Sequence, residues 1–403
     1  MAIGKLSSFM PYGAHLIDDD DCRAVVEVLK SDRLTCGPMV DTFEKSICDL
    51  TGARYSVSCA NGTAGLHLAS LAIGLELGEK VIVPTITFLA TANAPRWCGA
   101  DIIFSDVDDA TGLMTPQYFE EAIVRAGSKV KAVFPVHIAG HVCDMEGIYT
   151  IAKRHGILVV EDACHALGTL YQGQQVGGGQ FSDMTMFSFH PVKNAAMGEG
   201  GVVTTNDYNL FQKMVHLRGH GMERDCSLFT NKDIAFDENG VANPWYYEMQ
   251  EIGLNYRLTD IQCALGISQL KKLEFFKAKR KELRTLYCEK LSPFFELIKP
   301  MTIAENSDPC WHIFVVYIDF DKLSMSKADI IRELYSRNIG AQVHYTPVHM
   351  QPYYRRLGQP QLSSAMNYYR KALTLPLHVN MTQDDVANVV DNLIDILQKN
   401  RKP

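Results

Sequence analysis

The chain has 403 residues, of which 47% are hydrophobic, and this length predicts two domains with a large core. Its formal net charge is −7 and no basic run stands out, so nothing indicates a nucleic-acid-binding protein. Eleven scattered cysteines without CxxC spacing are typical of a reducing compartment. No apolar run approaches the roughly 20 residues of a membrane helix, and the first residues lack a signal-peptide core, so we expect a cytoplasmic protein.

Short apolar runs alternate with helical patterns along the first half of the chain. The runs KVIVPT, ADIIFSDVD, VKAVFPVH, ILVVEDA, MTMFSF and GGVVTTND predict strands that are buried on both faces. Patterns such as TAGLHLASLAIGL and MEGIYTIAKRHG predict helices between several of them. The alternation predicts an α/β fold with a doubly wound, mainly parallel sheet. Ligands of such sheets bind beyond the carboxyl ends of the strands.

The pattern changes in the second half. A less regular stretch runs from about residue 217 to 251, and LTDIQCALGISQLKKLEFFKAKRKELRTLYCEKL then predicts one or two long amphipathic helices. From about residue 300, WHIFVVYID, SKADIIRELYSRNIG, AQVHYTP and TQDDVANVVDNLIDILQK predict a smaller α+β domain. We expect a large ligand-binding domain over residues 1–255, and interdomain helices with the small domain over residues 256–403.

Residues at three strand ends could bind a ligand, and each also has an alternative, purely structural role. Gly62 and Thr63 open a predicted helix whose free N–H groups suit a phosphate, or they form a glycine turn with Thr63 as the N-cap. Phe88 either stacks on an aromatic ligand or belongs to the core. Asp162, which ends a strongly apolar strand, either pairs with a protonated ring nitrogen or caps a helix.

A fourth strand end, SFHPVKNAAMGEGG, carries Ser188 and Lys193 ahead of glycines that let the backbone approach a ligand closely. A loop lysine is usually solvated, but the neighbouring strand ends argue against that reading here. Together they offer a phosphate seat, a stacking ring, an acid for a ring nitrogen and a lysine. Pyridoxal 5′-phosphate (PLP) needs all four, because its aldehyde forms a Schiff base with lysine.

The sequence resembles the DegT-type sugar-nucleotide aminotransferases, a branch of the fold-type I PLP enzymes, over nearly its whole length. The resemblance rests on NGTAGLHL, PTITFLATANA, VEDACHALG, SFHPVKNAAMGEGGVVTTND, GLNYRLTDIQCALGISQLKK and AQVHYTPVH. It implies that Lys193 forms the Schiff base, that Asp162 pairs with the pyridine nitrogen and that Phe88 stacks on the ring. It further implies cofactor contacts from Gly62, Thr63, His165 and Ser188.

The resemblance also implies a homodimer with shared active sites, in which Asn255 reaches the phosphate bound by the neighbouring subunit and Arg257 supports its loop. Within the family, SFHPVK, RLTCG and AQVHYTPVHMQPYY are most similar to the UDP-4-amino-4,6-dideoxy-N-acetyl-β-L-altrosamine transaminases of pseudaminic acid biosynthesis. That subgroup implies L-glutamate and a UDP-linked 4-keto-6-deoxy sugar as substrates. The residues implied to line the sugar-nucleotide site are Tyr12, Arg33, Leu34, Thr35, His344 and Tyr345.

A zinc site is one competing hypothesis. His137, His141 and Cys143 lie close together in PVHIAGHVCD, and Cys164 and His165 are adjacent elsewhere. Their spacing matches no standard zinc pattern, so we predict no metal site.

Other competing hypotheses concern activity. A non-catalytic sensor or scaffold keeps the fold without the chemistry, but the presence of both Lys193 and Asp162 disfavours it. A PLP-dependent dehydratase of the same family carries histidine at the lysine position. Among transaminases, the runner-up makes another 4-amino-4,6-dideoxy sugar or a 3-amino sugar.

Overall fold

A computed structural model describes residues 5–358 and 360–402. Its largest sheet has seven strands of four or five residues: β1 (Tyr55–Cys59), β2 (Lys80–Pro84), β3 (Asp101–Ser105), β4 (Val130–Val133), β5 (Leu158–Asp162), β6 (Met184–Ser188) and β7 (Gly201–Thr205). The six apolar runs correspond to β2 through β7, so those predictions are confirmed. Strand β1 was not among the apolar runs from which strands were predicted, because its sequence YSVSC alternates serine with other residues and lacks a continuous apolar run.

The strand order of this sheet is β1-β7-β6-β5-β4-β2-β3. Strand β7 is antiparallel to its neighbours β1 and β6, and the other pairs are parallel. The prediction of a mainly parallel α/β sheet is therefore confirmed. The carboxyl ends of β1, β2, β4, β5 and β6 consequently share one edge of the sheet.

Several helices of the described residues begin at sequence signals that are common at helix starts. Four of them have a capping box, with Asp18, Thr259, Ser326 or Thr382 as the N-cap. They are α1 (Asp19–Leu29), α2 (Pro38–Thr51), α3 (Gly62–Ala72), α4 (Leu89–Trp97), α5 (Pro116–Ala126), α6 (Met145–His155), α7 (Tyr208–Arg218), α8 (Lys232–Ala235), α9 (Asp260–Leu270), α10 (Leu273–Leu291), α11 (Lys327–Ser336), α12 (Pro352–Arg355), α13 (Ser363–Lys371) and α14 (Gln383–Lys399). In the part of the chain that the structure describes, none of these is both long enough and apolar enough to cross a bilayer.

A second, antiparallel sheet of three strands lies in the C-terminal part. It has the order β8 (Ile298–Pro300), β9 (Phe314–Ile318) and β10 (Ala372–Leu375), and α11 and α14 accompany it. The predicted long helices are the pair α9 and α10. The segment AQVHYTP is not a regular strand, because it pairs with β10 only through a bridge between Gln342 and Thr374.

The remaining regular structure is short. Two-residue strands cover Leu170–Tyr171, Gln174–Gln175, Ser307–Asp308, Met222–Glu223 and Glu248–Met249, and the last two pair within the stretch predicted to be irregular. Single 3-10 turns cover Ile138–Gly140, Cys226–Leu228, Ser292–Phe294, Phe320–Lys322 and Val348–Met350.

The N-terminal segment runs beside the C-terminal part of the chain. The backbone N–H of Leu6 donates to the Arg337 carbonyl at 3.0 Å, and that of Gly340 donates to the Met10 carbonyl at 2.7 Å. The division into domains at residue 255 stays a prediction, and residues 1–4, 359 and 403 of its two ranges lie outside the described residues.

Asp260, at the start of α9, holds the loop of residues 33–37 in place through hydrogen bonds. Its buried carboxylate accepts hydrogen bonds from the backbone N–H groups of Gly37 at 2.8 Å and Met39 at 3.0 Å. It thereby caps α2, whose own N-cap residue is the side-chain-free Gly37. The Asp260 N–H donates to the Leu34 carbonyl at 3.0 Å. The loop is therefore held against the motif that begins α9.

Replacing Asp260 with alanine leaves two backbone donors without their acceptor, so we expect the unfolding free energy to fall by about 2 kcal/mol or more. Urea denaturation followed by circular dichroism measures the change. Asp49→Ala is the matched control, because Asp49 is exposed and pairs only with Lys45 one helical turn away. That control is expected to cost less than about 1 kcal/mol. Equal losses in the two variants would contradict the capping role.

Candidate active site

A cavity of about 460 Å³ opens at the carboxyl edge of the large sheet. This volume is within the usual range of small-molecule sites. Its wall includes residues that follow β1, β2, β4, β5 and β6, together with residues from the N-terminal segment and from the loop after α11. The sequence-predicted residues in this wall are Tyr12, Gly62, Thr63, Phe88, Asp162, His165, Ser188, Lys193, His344 and Tyr345.

Lys193 lies in the connection between β6 and β7. Its backbone N–H donates to the His190 carbonyl at 2.8 Å, and its side chain is half-buried in the cavity wall. Burial lowers the pKa of Lys193, while the negative charge of the Asp162 carboxylate opposes the change. A lowered pKa leaves more neutral amine at a given pH, and the neutral amine is the form that attacks a carbonyl carbon.

The start of α3 forms one end of the cavity. Its N-cap is Asn61, whose side chain accepts from the Ala64 N–H at 2.8 Å, so the alternative that Thr63 is the cap is wrong. As the first residues of the helix, Gly62 and Thr63 have N–H groups without intrahelical acceptors. A Cβ on Gly62 would lie 2.9 Å from Ser188 Cβ, so the glycine allows the helix to begin against Ser188. These donors fit a phosphate group.

Asp162 ends β5 inside the cavity wall and is 5% exposed. Its Oδ2 accepts a hydrogen bond from Thr91 Oγ1 at 2.6 Å, and its Oδ1 accepts from the Cys164 N–H at 3.2 Å. Residues 163–169 form turns, so Asp162 does not cap a helix. The carboxylate is therefore available to a positively charged group in the cavity.

Phe88 is the N-cap residue of α4 and is 56% exposed. The alternative that it belongs to the core is therefore wrong. Its ring centroid lies 6.1 Å from that of Tyr345, and both residues line the cavity. Phe88 is placed where an aromatic ligand ring can contact it.

His165 and Tyr345 form a hydrogen-bonded pair. The Ala139 N–H donates to His165 Nδ1 at 3.3 Å, and Tyr345 Oη lies 3.1 Å from His165 Nε2. Burial lowers the pKa of His165 well below its ordinary value, and the positive charge of Lys193 acts in the same direction. A neutral His165 whose Nδ1 accepts must carry its proton on Nε2 and donate it to Tyr345. The hydroxyl proton of Tyr345 is then free for another acceptor.

Tyr12 and His344 meet on the side of the cavity nearest the small sheet, with ring centroids 5.2 Å apart. His344 Nδ1 lies 2.9 Å from Thr374 Oγ1, and burial lowers the pKa of His344 to about 3. The Tyr12 carbonyl accepts from the Leu377 N–H at 3.0 Å. His344 is therefore neutral at physiological pH and is anchored to the small sheet.

Four predicted site residues lie outside this wall. Arg33, Leu34, Thr35 and Asn255 are exposed and do not line the cavity. Arg33 instead lines a separate groove of about 860 Å³ beside α1, α2 and α9. A bridge between Thr35 and Thr259 places the loop of residues 33–35 beside the segment that carries Asn255.

The residues considered for zinc make other contacts. His137 Nε2 lies 2.7 Å from Glu161 Oε2, and His141 Nε2 donates to the Thr111 carbonyl at 3.2 Å. Cys143 Sγ donates to the Val136 carbonyl at 3.4 Å. Within residues 5–358 and 360–402, no three His, Cys, Asp or Glu side chains are grouped so that they could hold a metal ion.

Asn61, Thr87 and Thr91 were not predicted from the sequence. Asn61 carries a recognisable signal, because Asn immediately before a helical pattern is a common N-cap. Thr87 and Thr91 carry no such signal, because Thr87 precedes the N-cap Phe88 and only Thr91 lies within α4.

Gly62→Ala is expected to weaken PLP binding by about tenfold or more, because the added methyl group collides with Ser188 and widens the phosphate seat. Titration of the apoprotein with PLP, followed by absorbance, measures the dissociation constant. Gly147→Ala is the matched control: its Cβ would lie 2.6 Å from Pro116 Cγ, far from the cavity, so it should reduce stability without changing PLP affinity. Unchanged affinity in Gly62→Ala would show that the phosphate binds elsewhere.

Comparison with known proteins agrees with this geometry. Residues 15–394 match the DegT/DnrJ/EryC1/StrS aminotransferase family. The spore coat polysaccharide biosynthesis protein SpsC of Bacillus subtilis is 36% identical over 400 residues, which cover 98% of this chain and 99% of that protein.

Two solved structures are similar over most of the chain. PseC of Helicobacter pylori, an aminotransferase involved in the biosynthesis of pseudoaminic acid, has a TM-score of 0.88 and 29% identity, with 97% of this chain and 100% of that chain covered. Spr1654 of Streptococcus pneumoniae, solved in its PLP form, has a TM-score of 0.86 and 25% identity, with 97% and 99% covered. The predicted fold type, cofactor and enzyme class are confirmed. The chain belongs to the DegT/DnrJ/EryC1/StrS aminotransferase family and is a PLP-dependent sugar aminotransferase of fold type I.

Proposed function

We propose that this enzyme transfers the amino group of L-glutamate to C4 of a UDP-linked 4-keto-6-deoxy sugar. The observation that carries the proposal is a single cavity in which Lys193 and Asp162 face Tyr12, His344 and Tyr345. The first pair suits transamination, and the second set offers polar aromatic groups to a sugar. The similarity to PseC supports a sugar of the pseudaminic acid type.

Different residues of the cavity bind the cofactor and transfer protons. When bound, PLP supplies an electron sink for the carbon that loses or gains a proton. Lys193 Nζ accepts the proton from Cα of glutamate and, in the second half of the reaction, delivers a proton to C4 of the sugar. The Asp162 carboxylate holds the proton of the ring nitrogen. The cofactor is seated by Gly62, Thr63, Phe88, His165 and Ser188.

The hydroxyl of Tyr345 binds the sugar in this proposal. Because His165 Nε2 donates to the Tyr345 oxygen, the Tyr345 proton is directed to a different acceptor. A sugar hydroxyl or the carbonyl at C4 provides one in the cavity. Tyr12 and His344 lie on the same side and extend this contact surface.

The cavity wall lacks the cations that the substrates require. Glutamate brings two carboxylates and the sugar nucleotide a diphosphate, whereas Lys193 is the one lysine or arginine of the wall within the described residues, and His137 of the wall is already paired with Glu161. Arg33 and Arg257 lie instead on the surface that carries Asn255. Guanidinium groups suit both carboxylates and phosphates. We therefore propose a homodimer in which this surface of one subunit completes the cavity of the other.

A different amino sugar is the second candidate. SpsC, named for spore coat polysaccharide biosynthesis, is more similar in sequence than PseC, at 36% against 29% identity. The chemistry of the cavity is the same for either product, because Lys193 acts on the reacting carbon and Asp162 on the ring nitrogen, and neither acts on the sugar substituents. The two candidates therefore differ in the sugar alone.

A panel of keto sugars tests the proposal. We expect glutamate to bleach the visible band of the holoenzyme and a UDP-linked 4-keto-6-deoxy sugar to restore it, with an aminated product detected by mass. dTDP-linked 4-keto and 3-keto sugars should restore it more slowly. Lys193→Ala should lose both steps, together with the borohydride-stable link to PLP. Restoration by a 3-keto sugar alone would overturn amination at C4.

The same assay separates the sugar-binding residues from the cofactor site. Arg33→Ala and His344→Ala should slow the restoring step far more than the bleaching step, because both residues are proposed to contact the sugar nucleotide. Equal slowing of the two steps would mean that they support the fold or the cofactor.

Mixing two inactive variants tests the shared site. A Lys193→Ala subunit paired with an Asn255→Ala subunit should regain activity, because one of the two cavities in the heterodimer has both groups intact. Lys193→Ala mixed with Ser188→Ala is the matched control and should stay inactive, since both residues belong to the cavity of their own subunit. Inactive heterodimers in the first mixture would contradict the proposal that each active site contains residues of both subunits.

A further inference from the structure

Two buried threonines of the α4 region form a hydrogen-bonded chain that ends on Asp162. Thr91 Oγ1 donates to Asp162 Oδ2 at 2.6 Å, and Thr87 Oγ1 lies 2.7 Å from Thr91 Oγ1. Thr91 is fully buried, and Thr87 is 1% exposed in the cavity wall. The short distance to the carboxylate is typical of a charge-assisted hydrogen bond.

The direction of both hydrogen bonds follows from the number of protons. An ionised carboxylate only accepts, so the single hydroxyl proton of Thr91 points to Asp162. Thr91 can then only accept from Thr87, whose own proton points to Thr91. Each hydroxyl is therefore committed to one orientation whenever Asp162 is ionised.

The carboxylate of Asp162 is held at both oxygens by separate parts of the chain. Oδ2 is bound by Thr91 from α4, and Oδ1 is bound by the Cys164 N–H at 3.2 Å. Each oxygen keeps a further lone-pair direction for a donor in the cavity. Two donors from different elements fix the plane of the carboxylate, which the strand backbone alone does not do.

The helix that carries Thr91 also carries the ring-contacting residue. Phe88 is the N-cap of α4, and its carbonyl accepts from the Thr91 N–H at 3.3 Å. A displacement of the start of α4 would move Phe88 and Thr91 together. The position of the Phe88 ring in the cavity and the orientation of the Asp162 carboxylate therefore both depend on where α4 begins.

We infer that Thr91 is a positioning residue that aims the Asp162 carboxylate at the ring nitrogen of PLP, and that Thr87 orients Thr91. The inference rests on the proposed role of Asp162. A threonine that merely filled space would be replaced without functional loss by valine, which has nearly the same shape. The hydroxyl, and not the volume, is the group assigned a role.

The experiment compares the holoenzymes of Thr91→Val, Thr91→Ser, Thr87→Val and Asp162→Asn. We expect Thr91→Val to slow bleaching by glutamate about tenfold or more and Thr91→Ser to restore most of the rate, since a lost partner of a buried charge is costly. A less well-aimed carboxylate holds the ring-nitrogen proton less firmly. The pH at which the bound cofactor loses that proton should therefore fall in Thr91→Val, as a spectral titration would show.

Thr204→Val serves as the matched control. Thr204 is buried in β7 and donates to the Gly177 carbonyl at 2.8 Å, so its replacement should reduce thermal stability without moving the spectral titration. Thr87→Val should give a smaller loss in the same direction as Thr91→Val, and it provides the test if Thr91→Val does not fold.

The possible outcomes separate the inference from the function on which it rests. Normal bleaching and an unmoved titration in Thr91→Val, with an inactive Asp162→Asn, would overturn the positioning role and leave the proposed function intact. A loss of stability alone in Thr91→Val would overturn it as well. Normal turnover in Asp162→Asn would instead refute the proposed role of Asp162, and the positioning role with it.

Discussion

Parallel pairing of the central strands is the constraint on which the site depends. Residues Val160 to Asp162 of β5 pair in register with Met184 to Met186 of β6, so both strands deliver their following residues to one edge. Strand β7 is antiparallel and therefore begins where β6 ends, with Gly201 opposite Ser188. The connection that carries Lys193 thus has both ends fixed at that edge. Lys193 therefore lies at the edge of the sheet where the cavity opens.

Burial gives this cavity its electrostatic character. It lowers the pKa of His165 and His344, so these two side chains of the wall are neutral near pH 7, and it lowers the pKa of Lys193 as well. A reactive amine benefits from these surroundings, whereas anionic substrates need counter-charges from elsewhere. The buried Asp260 holds the loop of residues 33–37 beside α9, and Arg33 of that loop is exposed outside the cavity. A second copy of the chain that presented the face with Arg33 to the cavity would supply the counter-charges and leave the reactive amine in its buried surroundings.

Much of this was predictable, because some signals are local. Strands β2 through β7 are apolar on both faces, and the capping boxes of α9, α11 and α14 are complete in the sequence. The rule that ligands bind at strand ends singled out the positions of Lys193 and Asp162, and the resemblance to the family implied their roles. The structural alternatives failed where the local signal was ambiguous: Phe88 is exposed although phenylalanine is usually buried, and the N-cap of α3 is Asn61 and not Thr63.

The sequence by itself determined the order of the strands and helices, the lysine between β6 and β7, and the family to which the chain belongs. Only the tertiary structure decided which polar groups meet. Thr91 and Asp162 are 71 residues apart, and no periodicity links a threonine in a helix to an aspartate at the end of a distant strand. Their contact exists because α4 follows β2 and packs near the edge at which β5 ends. Such a pairing is a property of the packed sheet, since a hydrogen bond depends on positions in space that sequence spacing does not encode.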